Sequence, residues 1–240
     1  ASIGVNRADV SHRKGAYGRA HFGESDLMGL EIAGTVVQVG AEVQGFAVGD
    51  RVMGIVGGGA YAELSRIDHR MAMHVPEGLS LTDAGAVAEV FVTAHEALFH
   101  LAQLQPGEAV LIHAAGSGVG SAAVQLAHAA GARVFATDSG DKRAAVLGLG
   151  ADVFIDYRSE DFQAVVAEQT GGQGVDVVVD FIGAPYMERN LRSMAMGGRM
   201  VCVGLLGGAL AAAVPMDVLL YRHLRIFGTV MKSRPPEVKQ

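Results

Sequence analysis

The 240-residue sequence predicts an α/β protein: a doubly wound parallel sheet preceded by a partial β-barrel. Three observations predict it. Ala109-Val110-Leu111-Ile112 is a continuous apolar run of the kind buried in parallel sheets, and a glycine-rich turn and an apolar helix follow it. From residue 106 onward, apolar runs alternate with helical patterns, as in βα units. Residues 1–75 carry short apolar runs punctuated by glycine, the pattern of a small barrel.

In chain order, a strand is expected within Leu30–Val39, ended by Gly40 and Gly45. Gly49-Asp50 turns the chain into Arg51-Val52-Met53, and Ala60–Ile67 and Met71–Val75 are further strand candidates. Pro76-Glu77-Gly78 closes the region, and Thr82-Asp83 caps a long apolar helix over residues 82–103. Domains are therefore drawn at 1–88 and 89–240. Strands then fall at Ala109–Ile112, Arg133–Thr137, Val153–Asp156, Val175–Asp180, Met200–Leu205 and Leu224–Val230. Helices fall after Gly118 and at Asp141–Leu149, Glu160–Gln169 and Met187–Met194. Ligands of such sheets bind at the carboxyl ends of strands, which selects the loops at 114–120, 137–142, 181–184 and 204–208.

Composition narrows the function classes. Charged residues are 18% and hydrophobic residues 50%, so the chain buries a core. A net charge of −6 without a Lys/Arg cluster argues against nucleic acid. Cys202 is the lone cysteine, so the chain forms no internal disulfide; a reducing, cytoplasmic setting is expected. Neither a transmembrane run nor a signal peptide is visible, so no membrane partner is expected. The start without Met and the stop at PPEVKQ read as two incomplete ends.

Gly118-x-Gly120-x-x-Ala123 fits the dinucleotide fingerprint of the Rossmann fold. Gly118 is read as permitting the turn, Gly120 as admitting a pyrophosphate, and Ala123 as letting helix and strand pack closely. The helix start offers N–H groups and partial positive charge to phosphates. Gly116, Ser117, Gly118, Val119 and Gly120 are therefore cofactor-binding candidates. Asp138 closes the second strand where an acid binds the adenosine ribose in NAD enzymes, and Ser139 and Lys142 follow it.

With barrel, crossover helix and fingerprint assembled, the chain resembles the medium-chain dehydrogenase/reductases, and more narrowly the zeta-crystallin-like quinone oxidoreductases. Asn6-Arg7-Ala8-Asp9, Gly29–Gly34, Gly49–Val52, Gly57–Glu63, Thr93-Ala94, His113–Gly120, Asp180–Gly183 and Gly204–Gly208 carry the resemblance. It implies a partial GroES-like catalytic domain followed by a Rossmann domain, with NAD(P)H-dependent hydride transfer in the cleft between them. Leu30 stands where zinc-dependent relatives have histidine, and a leucine cannot ligate a metal, so zinc-independent chemistry and no metal site are expected. Many quinone reductases have a small residue at position 138 and bind NADPH through neighbouring Ser, Lys or Arg. The resemblance thus indicates NADPH while Asp138 leaves NADH open.

The resemblance also places Tyr17 toward the nicotinamide, able to hydrogen-bond or protonate the acceptor oxygen; otherwise it covers the barrel. Asn6 either orients the acceptor carbonyl or caps a short helix near Ala8. Thr93 either lies near the nicotinamide or bonds back within its helix. Phe181, Ile182 and Gly183, with Gly204, Leu205 and Leu206, would contact the nicotinamide and its ribose. The leading expectation is NADPH:quinone reduction, with a homodimer formed through the last strand. Reduction of an enone or enoyl thioester, or non-catalytic nucleotide binding of a crystallin-like kind, are the alternatives.

Overall fold

Six apolar runs that each end in a turn form one parallel sheet. The computed structural model describes residues 1–15, 25, 27–211 and 213–230. Contacts divide it into two units, Ala1–Val92 joined by Val230, and Thr93–Thr229.

In the first unit, β1 (Ser2–Ile3), β2 (Glu31–Thr35), β3 (Arg51–Ile55) and β4 (Ala72–His74) form an antiparallel sheet in sequence order. Helix α1 (Arg7–Arg13) follows β1, and Ala33, Met53, Val75 and Ala84 make the local core. The expected strand at Ala60–Ile67 does not form. Gly58 and Gly59 have positive φ, and Tyr61 N–H donates to Met28 O (3.0 Å), which seats an irregular loop on residues 27–29 instead of a ladder.

The expected helix over 82–103 is broken. Its cap is Ser80, whose hydroxyl accepts from Asp83 N–H (3.0 Å), rather than Thr82-Asp83. Helix α2 (Leu81–Ala84) stops at Gly85, where an added Cβ would collide with Ser2. The chain resumes as α3 (Ala88–His95) and finishes in a π-helical turn, Glu96–Leu101.

The second unit alternates β5 (Ala109–Ile112), α4 (Gly118–Ala129), β6 (Arg133–Asp138), α5 (Arg143–Gly148), β7 (Val153–Asp156), α6 (Phe162–Gln169), β8 (Val175–Asp180), α7 (Met187–Ser193), β9 (Met194–Cys202), α8 (Met216–Tyr221) and β10 (Arg225–Gly228). All pairings are parallel, in the order β10-β9-β8-β5-β6-β7. Strand order reverses between β5 and β8, which is where such sheets open a binding crevice. Leu111, Phe135, Ile155, Val178, Leu191 and Met200 form the core. The fifth strand of this sheet starts six residues before the expected Met200 and ends at Cys202, short of Leu205. Gly197 and Gly198 lie in the irregularity of β9, between Met194, which pairs with Val175, and Arg199, which pairs with Val177. Met196, in the unpaired part of β9, is 67% exposed.

One buried ion pair ties the helical end of this unit to the sheet. Arg199 donates Nη2 to Glu108 Oε2 (2.7 Å), Nη1 to Oε1 (2.9 Å) and Nε to Ala102 O (2.8 Å). Removing one member of such a pair leaves the other charge buried and bare. Arg199→Met is expected to cost about 3 kcal/mol in urea unfolding, and a loss under about 1 kcal/mol would show the pair to be peripheral.

Candidate functional site

The glycine-rich turn between β5 and α4 is held by its own backbone. Ala114 takes φ 47°, a left-handed conformation at a non-glycine residue, and so makes the sharp bend. Ser117 is the N-cap of α4, its Oγ accepting from Gly120 N–H (3.1 Å). Gly118 and Val119 begin the helix, so their N–H groups have no intrahelical acceptor and suit an anionic ligand. The Gly120 position is tighter than its expected role implied. A Cβ there would strike the Ala114 carbonyl, so glycine is required first for helix α4 to seat on the turn.

Asp138, at the end of β6, is buried beneath this turn. Its Oδ2 accepts Gly116 N–H (2.7 Å), and its Oδ1 accepts Ser139 N–H (2.8 Å) and meets Lys142 Nζ at 3.2 Å. A Cβ on Gly116 would lie 2.5 Å from the Lys142 side chain. The acid thus binds the turn and its own lysine. Tyr157 and Arg158, unremarked in the sequence reading, follow β7 beside this corner, and Tyr157 N–H donates to Asp138 O (3.2 Å). Their signal was only their place after a strand.

The loops after β8 and β9 are brought together. Phe181 O accepts Leu206 N–H (3.1 Å), Ile182 O accepts Gly207 N–H (2.8 Å), and Gly183 pairs with Gly208. Gly183 has φ 84°, and its N–H and that of Ile182 are caught by the buried Asp180 carboxylate. Burial pushes the Asp180 carboxyl above its ordinary range, against the pull of those N–H groups. A Cβ on Gly204 would sit 2.9 Å from Phe181 O. Leu205 and Leu206 are exposed at 59% and 55%. Gly116–Gly120, Asp138–Lys142 and this double loop all stand at carboxyl ends of the sheet, as a dinucleotide requires. Thr93 is half-buried on α3.

Two buried side chains of the sheet do other work. His113 has both ring nitrogens engaged, with Thr137 Oγ1 (2.8 Å) and Asn190 Oδ1 (2.7 Å), and desolvation lowers its pKa to about 4. Burial, then Asp180, pushes the Cys202 thiol up to about 11, so it stays protonated.

In the first unit, Asn6 is the N-cap of α1, and its backbone N–H donates to Asp9 Oδ2 (2.8 Å). Its Nδ2 donates to Glu31 Oε1 (2.8 Å), and Glu31 Oε2 accepts Glu89 N–H (2.9 Å). Asp9 and Glu31 are each 1% exposed. Burial raises the Glu31 pKa, and burial with Glu31 and Asp9 nearby raises Glu89 to about 7. Tyr61 is raised by burial and by the same two acids. Asp9 and Tyr61 lie in stretches that carry the family resemblance, without an assigned role; carboxylates inside apolar runs, as in Leu30-Glu31-Ile32 and Ala88-Glu89-Val90, are the sequence signal for Glu31 and Glu89. Tyr17 lies outside the described residues.

Family models match both parts of the chain: an alcohol dehydrogenase GroES-like domain over residues 1–103 and a zinc-binding dehydrogenase over 118–240. The chain belongs to the medium-chain dehydrogenase/reductase superfamily. Its Rossmann sheet and GroES-like first domain are those of this superfamily. It is 42% identical over 205 residues to a phenolphthiocerol synthesis polyketide synthase of Mycobacterium marinum, covering 85% of this chain and 10% of that protein. A quinone oxidoreductase-like protein 2 homolog of Nematostella vectensis is 35% identical, covering 95% of this chain and 62% of that protein. Among solved structures, CurK enoyl reductase superposes with TM-score 0.85 at 32% identity, over 99% of this chain and 74% of that one. A Pseudomonas syringae quinone oxidoreductase gives 0.83 at 34%, over 95% and 70%. The chain therefore spans a small fraction of the polyketide synthases and under two thirds of the Nematostella protein.

Zinc, suggested by the family description, does not fit the donor set. Among the described residues no three His, Cys, Asp or Glu side chains group to hold a metal, and Leu30 adjoins Glu31. Likewise, no helix among them is long and apolar enough to cross a membrane.

The Glu89 carboxyl stays protonated on folding where an unfolded chain ionises it. Stability is then fullest below pH 4.5 and declines as pH rises to about 7, by up to roughly 3 kcal/mol. Glu89→Gln is expected to flatten this decline, read as the difference in unfolding midpoint between pH 5 and pH 8; an unchanged slope would assign it to other groups.

Proposed function

We propose that this member of the superfamily is a zinc-independent reductase carrying hydride from NADPH to a quinone. The observation that carries the reading is the Asn6–Glu31–Glu89 network, which offers an amide donor and a carboxyl whose pKa is raised to about 7. Such groups suit an acceptor that is already electron-poor, for which orientation and hydrogen bonding are enough. When bound, the nicotinamide supplies the hydride. Asn6, and Tyr17 on the family resemblance alone, would hold the acceptor oxygen, and a proton completes the hydroquinone.

Cofactor preference follows from Asp138. Its oxygens are taken by Gly116, Ser139 and Lys142, so a ribose diol would have to displace a bond already made. Lys142, whose side chain is 43% exposed, instead offers positive charge to a 2′-phosphate. NADPH is the reading this supports. The backbone of Gly118 and Val119 would hold the pyrophosphate, and that of the 181–183 and 204–206 loops the nicotinamide ribose. β10 ends the strand order, and a second copy pairing along it would make the homodimer.

The second reading is reduction of an enoyl thioester, favoured by the polyketide synthase relatives and by the CurK and JamJ enoyl reductases. Hydride would pass to the β-carbon and a proton to the α-carbon. An acidic chain without a basic cluster is a poor seat for a phosphorylated carrier arm, which ranks this reading second.

The test is NADPH consumption with an ortho-quinone beside a crotonyl thioester. Faster turnover of the quinone supports the first reading; thioester-only turnover supports the second; binding without consumption by either leaves a non-catalytic nucleotide binder. Lys142→Ala is expected to raise KM for NADPH by about tenfold and leave that for NADH within about twofold. Equal changes for both cofactors would remove Lys142 from the phosphate.

A further inference from the structure

The carboxylate of Glu31 occupies a place made for it. It is 1% exposed, on β2, and it fills the space that a side chain at Gly4 would take: a Cβ there would lie 2.5 Å from Glu31 Cδ and nearer still to Oε1. Two donors arrive from different elements, one at each oxygen. Asn6 Nδ2 reaches Oε1 from the start of α1, and Glu89 N–H reaches Oε2 from the first turn of α3. The other groups around it are acids: Asp9 on α1, the Glu89 side chain on α3 and Tyr61 in the loop after β3.

We propose that Glu31 is a positioning residue for Asn6, fixing which edge of the amide is presented to the acceptor. The proposal rests on the reading above that Asn6 meets the acceptor oxygen. Both Glu31 oxygens accept, so the NH2 edge of Asn6 faces the carboxylate and Oδ1 faces away. One N–H is spent on Glu31, and the second remains to donate. Without the carboxylate the NH2 edge of the amide loses the partner that fixes it.

No other side chain replaces the carboxylate. Glutamine matches its length but carries one acceptor and one donor, so at one end an N–H would face an N–H. Aspartate is one methylene shorter and does not span both donors. A charge-assisted bond of this kind is stronger than a neutral one, which sets the size of the expected loss.

A double-mutant cycle of Asn6→Ala and Glu31→Gln tests the proposal in quinone-dependent NADPH turnover. Each single variant is expected to lower kcat/KM for the quinone by about tenfold, with the double variant no lower than Asn6→Ala alone, because Glu31 acts through Asn6. The Kd for NADPH, whose proposed ligands lie on the second unit, is expected to stay within about twofold. Multiplying losses, or a Glu31→Gln variant with normal kcat/KM, overturn the proposal.

The tie itself is read without turnover. The Asn6 side-chain amide pair, assigned by its loss in Asn6→Ala, is followed by 15N NMR in the wild-type chain. One proton exchanging slowly with solvent and its partner rapidly supports the tie; two equally fast protons overturn it, even if Glu31→Gln fails to fold. If the wild-type chain reduces no quinone, the proposed reaction falls, and the exchange measurement still decides whether Glu31 fixes Asn6.

Discussion

A carboxylate removed from water must find donors, and this requirement organises both units. Asp138 finds them in the glycine-rich turn and in Lys142. Asp180 finds them in the turn after β8, and Glu31 in Asn6 and the first turn of α3. Glu108 finds a bidentate arginine. Each acid joins segments that would otherwise be loops at a strand end, and a loop fixed by a buried acid holds its shape because leaving it would strand a charge.

The same requirement separates the chemistry of the units. In the sheet unit the acids accept backbone N–H groups and so shape a concave edge at the strand ends. In the first unit, Asp9, Glu31 and Glu89 stand together, so one of them keeps a proton near neutral pH. The proposed reduction needs a proton as well as a hydride, and Glu31 links Glu89 to Asn6, the proposed ligand of the acceptor.

Much of the second unit was legible from sequence because its signals are local. Valine-rich runs, each followed by a turn, marked the strands, and Gly118–Ala123 marked the start of helix α4. What escaped depended on distant partners. Ala60–Ile67 alternates like a strand, but its hydrogen bonds go to residues 27–29. Residues 82–103 read as one helix until Gly85 meets Ser2. Met194 read as a helix end because its ladder partner, Val175, lies on β8. In the site, Asp138, Gly116 and Lys142 were each visible as residues, yet their bonds to one another were not; Glu31 and Glu89 lie 58 positions apart, and nothing in spacing alone joins them.

The position of β5 sets the timetable of synthesis. The first strand of the parallel sheet lies at its centre, between β6 and β8. Its N-terminal residue, Ala109, donates to Asp176, 67 positions away, and the preceding Glu108 waits for Arg199, 91 positions away. A chain leaving the ribosome thus exposes the apolar flank of β5 until β8 and β9 have emerged, while β1–β4, the antiparallel strands among the described residues, all precede β5. The second unit is the part whose nascent form needs shelter from aggregation.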